Sequence, residues 1–401
     1  MIKNFFDANV KCREVFEKRY NFAPSDTAFT PYRICPLGAH IDHQKAKITG
    51  FAIDKGIHIA YAPKENGVVE ISSVQFDGEA QWHVNDVPIK PVGDWADHLR
   101  GATIALGARY PLRRGFCAVV NGELPIGGLS SSAAIIITFL STLAKINNIK
   151  LTENEMIDLA LEAENKYVGV SCGRLDQCCE VYCRKDNLLY MDILADTYEL
   201  IPVSKNMPPY KIAIFFSGVE RSLAGSKYNS RVDEAKSAAY SLLSFAGMEH
   251  GELKDTYLTD VPRDMFDKYA DRLPEPLRKR ATHFFTECDR VERGVKAWRD
   301  GDIEEFGRLI FESGKSSIEQ WETGSPELIA LYDIMTKTEG IYGGRFSGAG
   351  FKGCCMAIID PAYEQSIIEK VRREYSKMFP HLADKFSAHI CTTADGVKLE
   401  R

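Results

Sequence analysis

Apolar positions along this chain recur in two rhythms, and the changes between them mark out its elements. Residues 1–22 set Phe5, Phe6, Val10, Val15 and Phe16 among charges at helical spacing, up to the breaker Asn21–Phe22–Ala23–Pro24. Short β-like runs follow at Ala28–Ile34, Lys55–Ala62, Val68–Gln75 and Phe116–Asn121. The last of these runs into PIGGLSSSAA (125–134) and then the apolar stretch AIIITFLSTLA, which reads as a buried helix beginning at the serines. A helical pattern from Glu153 to Tyr167 stops near Gly169 and precedes CGRLDQCCEVY; Leu188–Ile193 reads as a strand. The proline-bearing segment Val203–Pro209 looks like a crossing between two domains.

The second half opens on an apolar strand, KIAIFFS, from Lys211. Helices are predicted at 226–247, 263–298, 302–320 and 326–338. The glycine-rich turn GGRFSGAGFKG then leads to a strand at Cys354–Ile359, a helix at 362–377 and a last strand near Phe386–Thr392. Strands and helices mix without strict βαβ alternation, which predicts α+β architecture in both halves. A length of 401 residues exceeds what one core usually serves, so two domains are expected, 1–205 and 206–401.

Composition narrows the class without changing that picture. Apolar residues at 45% and charged residues at 26% fit a folded soluble protein, and a net charge of −6 argues against nucleic acid as a partner. The stretch 133–144 falls short of the roughly 20 residues a membrane span needs, so no membrane partner is expected. Eleven scattered cysteines, with no zinc-type spacing and no leader pattern after Met1, predict reduced thiols in the cytoplasm.

The candidate chemistry begins at PIGGLSSSAA. Glycines let the backbone turn tightly and approach a ligand, and the first turn of a helix offers unpaired N–H groups with about half a positive charge behind them. An anion cradle and an ordinary capped helix both fit this segment taken alone. Four segments together resemble the GHMP small-molecule kinases, and within them the galactokinase branch: PYRICPLGAHIDHQ (31–44), PIGGLSSSAA, AENKYVGVSCGRLDQ (163–177) and GGRFSGAGFKGC (343–354). SGVERSLAGSKYNSR (217–231) and GSPELIALYD (324–333) keep the same order and spacing.

The resemblance implies a two-domain fold: an N-terminal ribosomal-protein-like α/β domain and a C-terminal ferredoxin-like α+β domain, with the active site between them. It implies ATP and Mg²⁺ as cofactors and a small sugar or sugar acid as partner, in a monomer or weak homodimer. By the same resemblance Asp176 is the catalytic aspartate, and Arg33 stabilises it and the developing phosphate charge. Gly127, Gly128, Leu129, Ser130, Ser131 and Ser132 form the phosphate loop, Ser132 and Glu164 hold the metal, and Gly348 and Gly350 close over the triphosphate. Glu164 taken alone reads as a solvated helix charge. Trp95 matches an aromatic near the adenine pocket and reads equally as core, and Lys352, where the family has glycine, reads as solvated or as reaching a phosphate.

For the acceptor, the resemblance assigns His40, Asp42, Gly173 and Tyr228 to the sugar. Where galactokinases read GEHTDY this chain reads GAHIDH, so Ala39 replaces the glutamate that meets the position-6 hydroxyl. A carboxylate at position 6 would repel a glutamate there and would fit an alanine. PYRICPLGAHIDHQ is accordingly closer to galacturonokinases, which implies galacturonate giving galacturonate 1-phosphate. Candidate cations for the acid group are His43, Lys45, Arg174 and Arg221. An L-arabinose-type acceptor, which lacks position 6, also tolerates Ala39; a neutral-sugar kinase acting on galactose or L-arabinose is the alternative, and a non-catalytic sugar and ATP sensor is a second.

Overall fold

The computed structural model describes residues 8–219 and 225–399, with side chains in 225–227 left aside. Phe5, Phe6 and Arg221 therefore lie outside the described residues. The strands are β1 (Asp26–Ile34), β2 (Lys47–Lys64), β3 (Val68–Ser73), β4 (Glu79–His83), β5 (Gly115–Gly122), β6 (Asn187–Asp192), β7 (Thr197–Pro202), β8 (Lys211–Phe216), β9 (Ile341–Phe346), β10 (Cys354–Ile359), β11 (Ser387–Cys391) and β12 (Thr393–Ala394). The α-helices are α1 (Ala8–Tyr20), α2 (Asp97–Gly107), α3 (Ser131–Ile146), α4 (Glu153–Glu162), α5 (Leu175–Tyr182), α6 (Gly225–Ala246), α7 (Arg263–Tyr269), α8 (Glu275–Asp300), α9 (Ile303–Glu319), α10 (Pro326–Met335) and α11 (Glu364–Met378).

Two sheets organise them. The first runs β4-β3-β5-β2-β6-β7, with β1 and β12 also paired to β2; β3 and β5 are parallel and its other pairings are antiparallel. The second is antiparallel, in the order β11-β8-β10-β9. Against the first sheet lies α3, whose apolar residues are buried on nearly every side between β1, β2, α2, α4 and α5. Such a helix is hydrophobic over most of its surface because little of it meets solvent, Lys145 in its last turn being exposed.

Several expectations are corrected. The run read as Lys55–Ala62 is the carboxy-terminal half of an 18-residue strand, β2, because the residues before it also pair: Lys47–Gly50 with β6, and Phe51 and Ala52 with β1. The helix predicted at 263–298 is two helices, α7 and α8, parted at Leu273–Pro274, where proline disfavours helical backbone in the residue before it. Helix 153–167 ends its α-helical part at Glu162 and continues as a wider π-turn, Ala163–Val168. The short elements α2, β4 and β7 carry no run long enough to have been read, and Ile341–Phe346 is a strand rather than part of the glycine turn.

One buried hub joins the halves. Glu287 of α8 is fully buried, and its carboxylate accepts from Gly38 N (2.8 Å), Ser313 Oγ (2.6 Å) and Arg290 Nε (2.7 Å), with the Arg345 guanidinium of β9 at 3.5 Å. Burial alone would push this acid up; Arg290, His283 and Arg345 more than offset it and hold it at about 2, against an ordinary 4.5. A depressed acid stabilises the fold above its unfolded value, so this contribution is full above about pH 4.5 and drains as pH falls toward 2. Glu287→Ala strands two buried guanidinium groups and is expected to cost about 3–5 kcal/mol. Denaturant unfolding across pH checks both: the gap between wild type and variant should narrow on acidification.

Candidate active site

Between the two sheets lies a cavity of about 710 Å³, and most of the residues singled out in the sequence line it. They come from β1, the 39–42 loop, the 125–132 loop, Glu164, the segment before α5, α6 and the loop between β9 and β10. At its centre is Asp176, in the first turn of α5. Arg33 Nε donates to its Oδ1 at 2.7 Å and Ser130 Oγ to its Oδ2 at 2.6 Å, while Arg33 Nη1 reaches Gly128 O at 3.0 Å. Arg33 is aimed there by an irregularity in β1, where the register with β2 shifts between Pro31 and Arg33; proline in a strand belongs at such a place.

Ser130 sits just before α3 in the left-handed region (φ 61°), an uncommon conformation for a serine, and its hydroxyl is spent on Asp176 rather than on capping. With no side chain capping α3, the first-turn N–H groups stay available to an anion, beside Ser131 and Ser132 on the cavity wall. Gly128 adopts φ 89°, and a Cβ on it would stand 2.7 Å from Cys354 Sγ and 3.0 Å from Ser347 O. The 347–353 loop thus closes directly on the 125–132 loop. Gly348, Ala349, Lys352 and Gly353 line the cavity, while Gly350 packs against Thr323 and Leu129 is buried behind.

Glu164, turned inward by the π-turn, is buried beside the serine loop and is not a solvated charge. Burial and the nearby Asp176 push it up to about 7; Gln177, Ser132 and Cys172 donate to it. Asp42 is likewise buried and is pushed up to about 6 by burial and Asp176, with Leu175 N donating to its Oδ2 at 3.3 Å. Gly173 is what lets these segments meet, since a Cβ there would fall 2.2 Å from Asp42 Oδ2. His40 and Tyr228 line the same pocket, and the Tyr228 ring lies edge-on to His43, 6.2 Å away.

Other expected groups are placed elsewhere. Arg174 pairs with Asp196 (2.8 Å) and Asp158 (3.2 Å) outside the cavity, and Lys45 lies over the Tyr257 ring at 3.9 Å. His43 is buried behind the wall, and burial holds it down at about 3, so it brings no positive charge. Trp95 stacks behind Phe76, and it is Phe76, with His98, that lines the cavity mouth. His98 stands in the segment GDWADHLRG that carries Trp95, and Phe76 carried no motif; an exposed phenylalanine in a polar turn was its available signal. Gly173→Ala is expected to destabilise the fold by about 1–3 kcal/mol through the forced separation of Asp42 and the 172–175 segment, measured as a lowered denaturation midpoint.

Comparison with known proteins matches residues 97–184 to the GHMP kinases N terminal domain and residues 294–377 to the GHMP kinases C terminal domain. A galacturonokinase from Arabidopsis thaliana is 36% identical over 92% of both chains. A galactokinase from Roseiflexus sp. is 30% identical over 96% of this chain and 95% of its own. Among solved structures, Lactococcus lactis galactokinase complexed with galactose superposes with a TM-score of 0.87 at 26% identity, over 97% of this chain and 98% of that one. Methanococcus jannaschii mevalonate kinase shares the fold at a TM-score of 0.65, 16% identity, and coverage of 92% and 98%.

Proposed function

The chain belongs to the GHMP kinase family, on its galactokinase branch, and we propose that it transfers a phosphoryl group from MgATP to the anomeric hydroxyl of galacturonate. The observation that carries the phosphoryl-transfer reading is the clamped Asp176 carboxyl in one cavity with the uncapped start of α3. Phosphoryl transfer asks a protein mainly for positioning and charge stabilisation. Arg33 and Ser130 hold the two Asp176 oxygens, so the carboxyl is oriented toward an acceptor hydroxyl before it arrives. As the sugar oxygen attacks phosphorus, Asp176 takes its proton and ADP leaves. The first turn of α3, with Gly127 to Ser132, receives the phosphates; Gly348 and Gly353 close over them.

Ser132 and Glu164 are the metal ligands in this reading: a hydroxyl and a buried carboxylate side by side are hard oxygen donors of the kind Mg²⁺ takes alongside phosphate oxygens and water. A bound Mg²⁺ would supply charge neutralisation at the transferring phosphate. Asp42, His40 and Tyr228 meet the sugar hydroxyls, and Phe76 with His98 flank the nucleotide end. All eleven cysteines stand as free thiols, which supports a reducing compartment such as the cytoplasm.

Galacturonate is favoured over galactose by Ala39, which lines the cavity beside His40 and Asp42 and puts no carboxylate opposite the substrate's own. A coupled ATP assay over galacturonate, galactose, glucuronate and L-arabinose is expected to give the highest kcat/KM on galacturonate; a higher value on galactose overturns the substrate assignment. Ala39→Glu is expected to lower kcat/KM for galacturonate by about 10- to 100-fold, measured in the same assay. Asp176→Asn is expected to lower kcat by roughly 10²–10⁴-fold in steady-state kinetics. Wild-type turnover by that variant would remove Asp176 from the mechanism.

A further inference from the structure

The phosphate loop, Pro125 to Ser132, offers an anion backbone N–H groups and hydroxyls but no cationic side chain. Phosphoryl transfer is stabilised by a lysine or arginine at the transferring group as well as by metal, so in this fold that cation has to come from another wall. Among the described residues that line the cavity, the lysines and arginines are Arg33, Lys352 and Lys385. Arg33 is committed, since its guanidinium donates to Asp176 and to Gly128 O.

The second sheet separates the two lysines. Cys354 of β10 and Ser387 of β11 both stand opposite Phe216 of β8, one on each side of it. Lys352 and Lys385 each precede those residues by two, so they leave the same end of the sheet on opposite flanks of β8, roughly 10 Å apart at two strand spacings. Lys385 is exposed and packs against Gly218, where a Cβ would stand 2.6 Å from the Lys385 Cβ. Lys352 is half-buried and lies on the flank that meets the phosphate loop. Its neighbour Gly353 has φ 96°, and a Cβ there would fall 2.5 Å from Gly127 C. Gly353 O accepts from both Ser217 N and Ser217 Oγ at 3.0 Å, and Ser347 N donates to Cys354 O at 3.1 Å. The backbone that carries Lys352 is therefore tied to β8 on one side and pressed against the phosphate loop on the other.

Sequence alone leaves Lys352 between a solvated charge and a phosphate contact. Resting on the phosphoryl-transfer reading above, we propose that Lys352 is the cation of the phosphate site: its ammonium receives a phosphate oxygen of the bound nucleotide from the wall facing the 125–132 loop. A lysine suits this place because it is a compact charge with three donors on a flexible stem, able to follow a phosphate as it passes from donor to acceptor. The carboxylate of a sugar acid is the other oxyanion the cavity receives. The Gly127–Gly353 contact puts Lys352 with the phosphates, whereas Ala39 is fastened to α8 through His283.

Lys352 has no positive φ, so other side chains can take its place without backbone strain. Lys352→Met keeps the stem and removes the charge; Lys352→Arg keeps the charge. Calorimetry with a non-hydrolysable ATP analogue and Mg²⁺, in the absence of sugar, is expected to show affinity lowered about tenfold in Lys352→Met and within about twofold of wild type in Lys352→Arg. KM for ATP is expected to rise to match in Lys352→Met, by the same factor with galacturonate or galactose as acceptor, and the gap from wild type to narrow in high salt. Lys352→Gln, a second uncharged variant, is expected to behave as Lys352→Met does. Unchanged affinity in both uncharged variants, or an equal loss in Lys352→Arg, overturns the proposal. A rise confined to KM for galacturonate, with the affinity for the ATP analogue intact, also overturns it and assigns Lys352 to the sugar's carboxylate. The readings fail separately. A wild type that binds no ATP analogue overturns the phosphoryl-transfer reading, and a wild type that binds it no more tightly than Lys352→Met overturns only the role of Lys352.

Discussion

The site depends on one carboxyl held from two sides. Asp176 is gripped by Arg33 from β1 and by Ser130 from the turn before α3, so three stretches far apart in sequence are fastened at one point. Each partner gives something up for this. β1 interrupts its register at Pro31–Arg33, and Ser130 takes a left-handed backbone and forgoes the capping bond a serine ordinarily makes at a helix start. These departures from regular structure coincide with the place where the reacting groups would meet, as expected where a fold accepts local strain for preorganisation.

Around that clamp the protein gathers more acid than base. Asp42, Glu164 and Glu180 are all buried near Asp176 and all are pushed up, first by burial and then by the charge of Asp176, with the Arg33 guanidinium pulling each of them partly back down. A cavity built this way is tuned for ligands that bring positive charge with them or that supply hydrogen-bond donors. Glu287, by contrast, is buried among guanidinium groups and held down. Two buried acid sets a few elements apart are thus driven in opposite directions by their neighbours, and only the second is a structural brace.

What was legible in the sequence was local. Glycine pairs and serine runs announced the turn before α3, because the residues that turn a backbone also mark the turn; Asp176 and Arg33 were singled out by the resemblance of their segments, and the fold brings both to the cavity wall. The apolar run of α3 was legible because a helix buried on nearly every side shows itself without needing its partners. What stayed hidden was relational. Trp321 and His283 carried no signal of their own, and only the packing of α8 and of the turn after α9 brings them against the 39–43 loop. Arg174 read as a free cation because Asp158 and Asp196 reach it only in the fold. The parting of α7 from α8 was signalled by Pro274, yet the strong apolar pattern on both sides masked it.

The strand β12 gives the first sheet a dependence on the far end of the chain. Thr393 and Ala394 pair with Ile53 and Ala52 of β2, Asp54 N donates to Thr392 O, and Val397 N donates to Glu180 O on the helix that carries Asp176. Elements of the first two hundred residues therefore remain without these partners until residues 392–397 have left the ribosome. The amino-terminal half is not completed by its own residues: its last hydrogen bonds, and the final seating of α5, wait for a segment synthesised long after it.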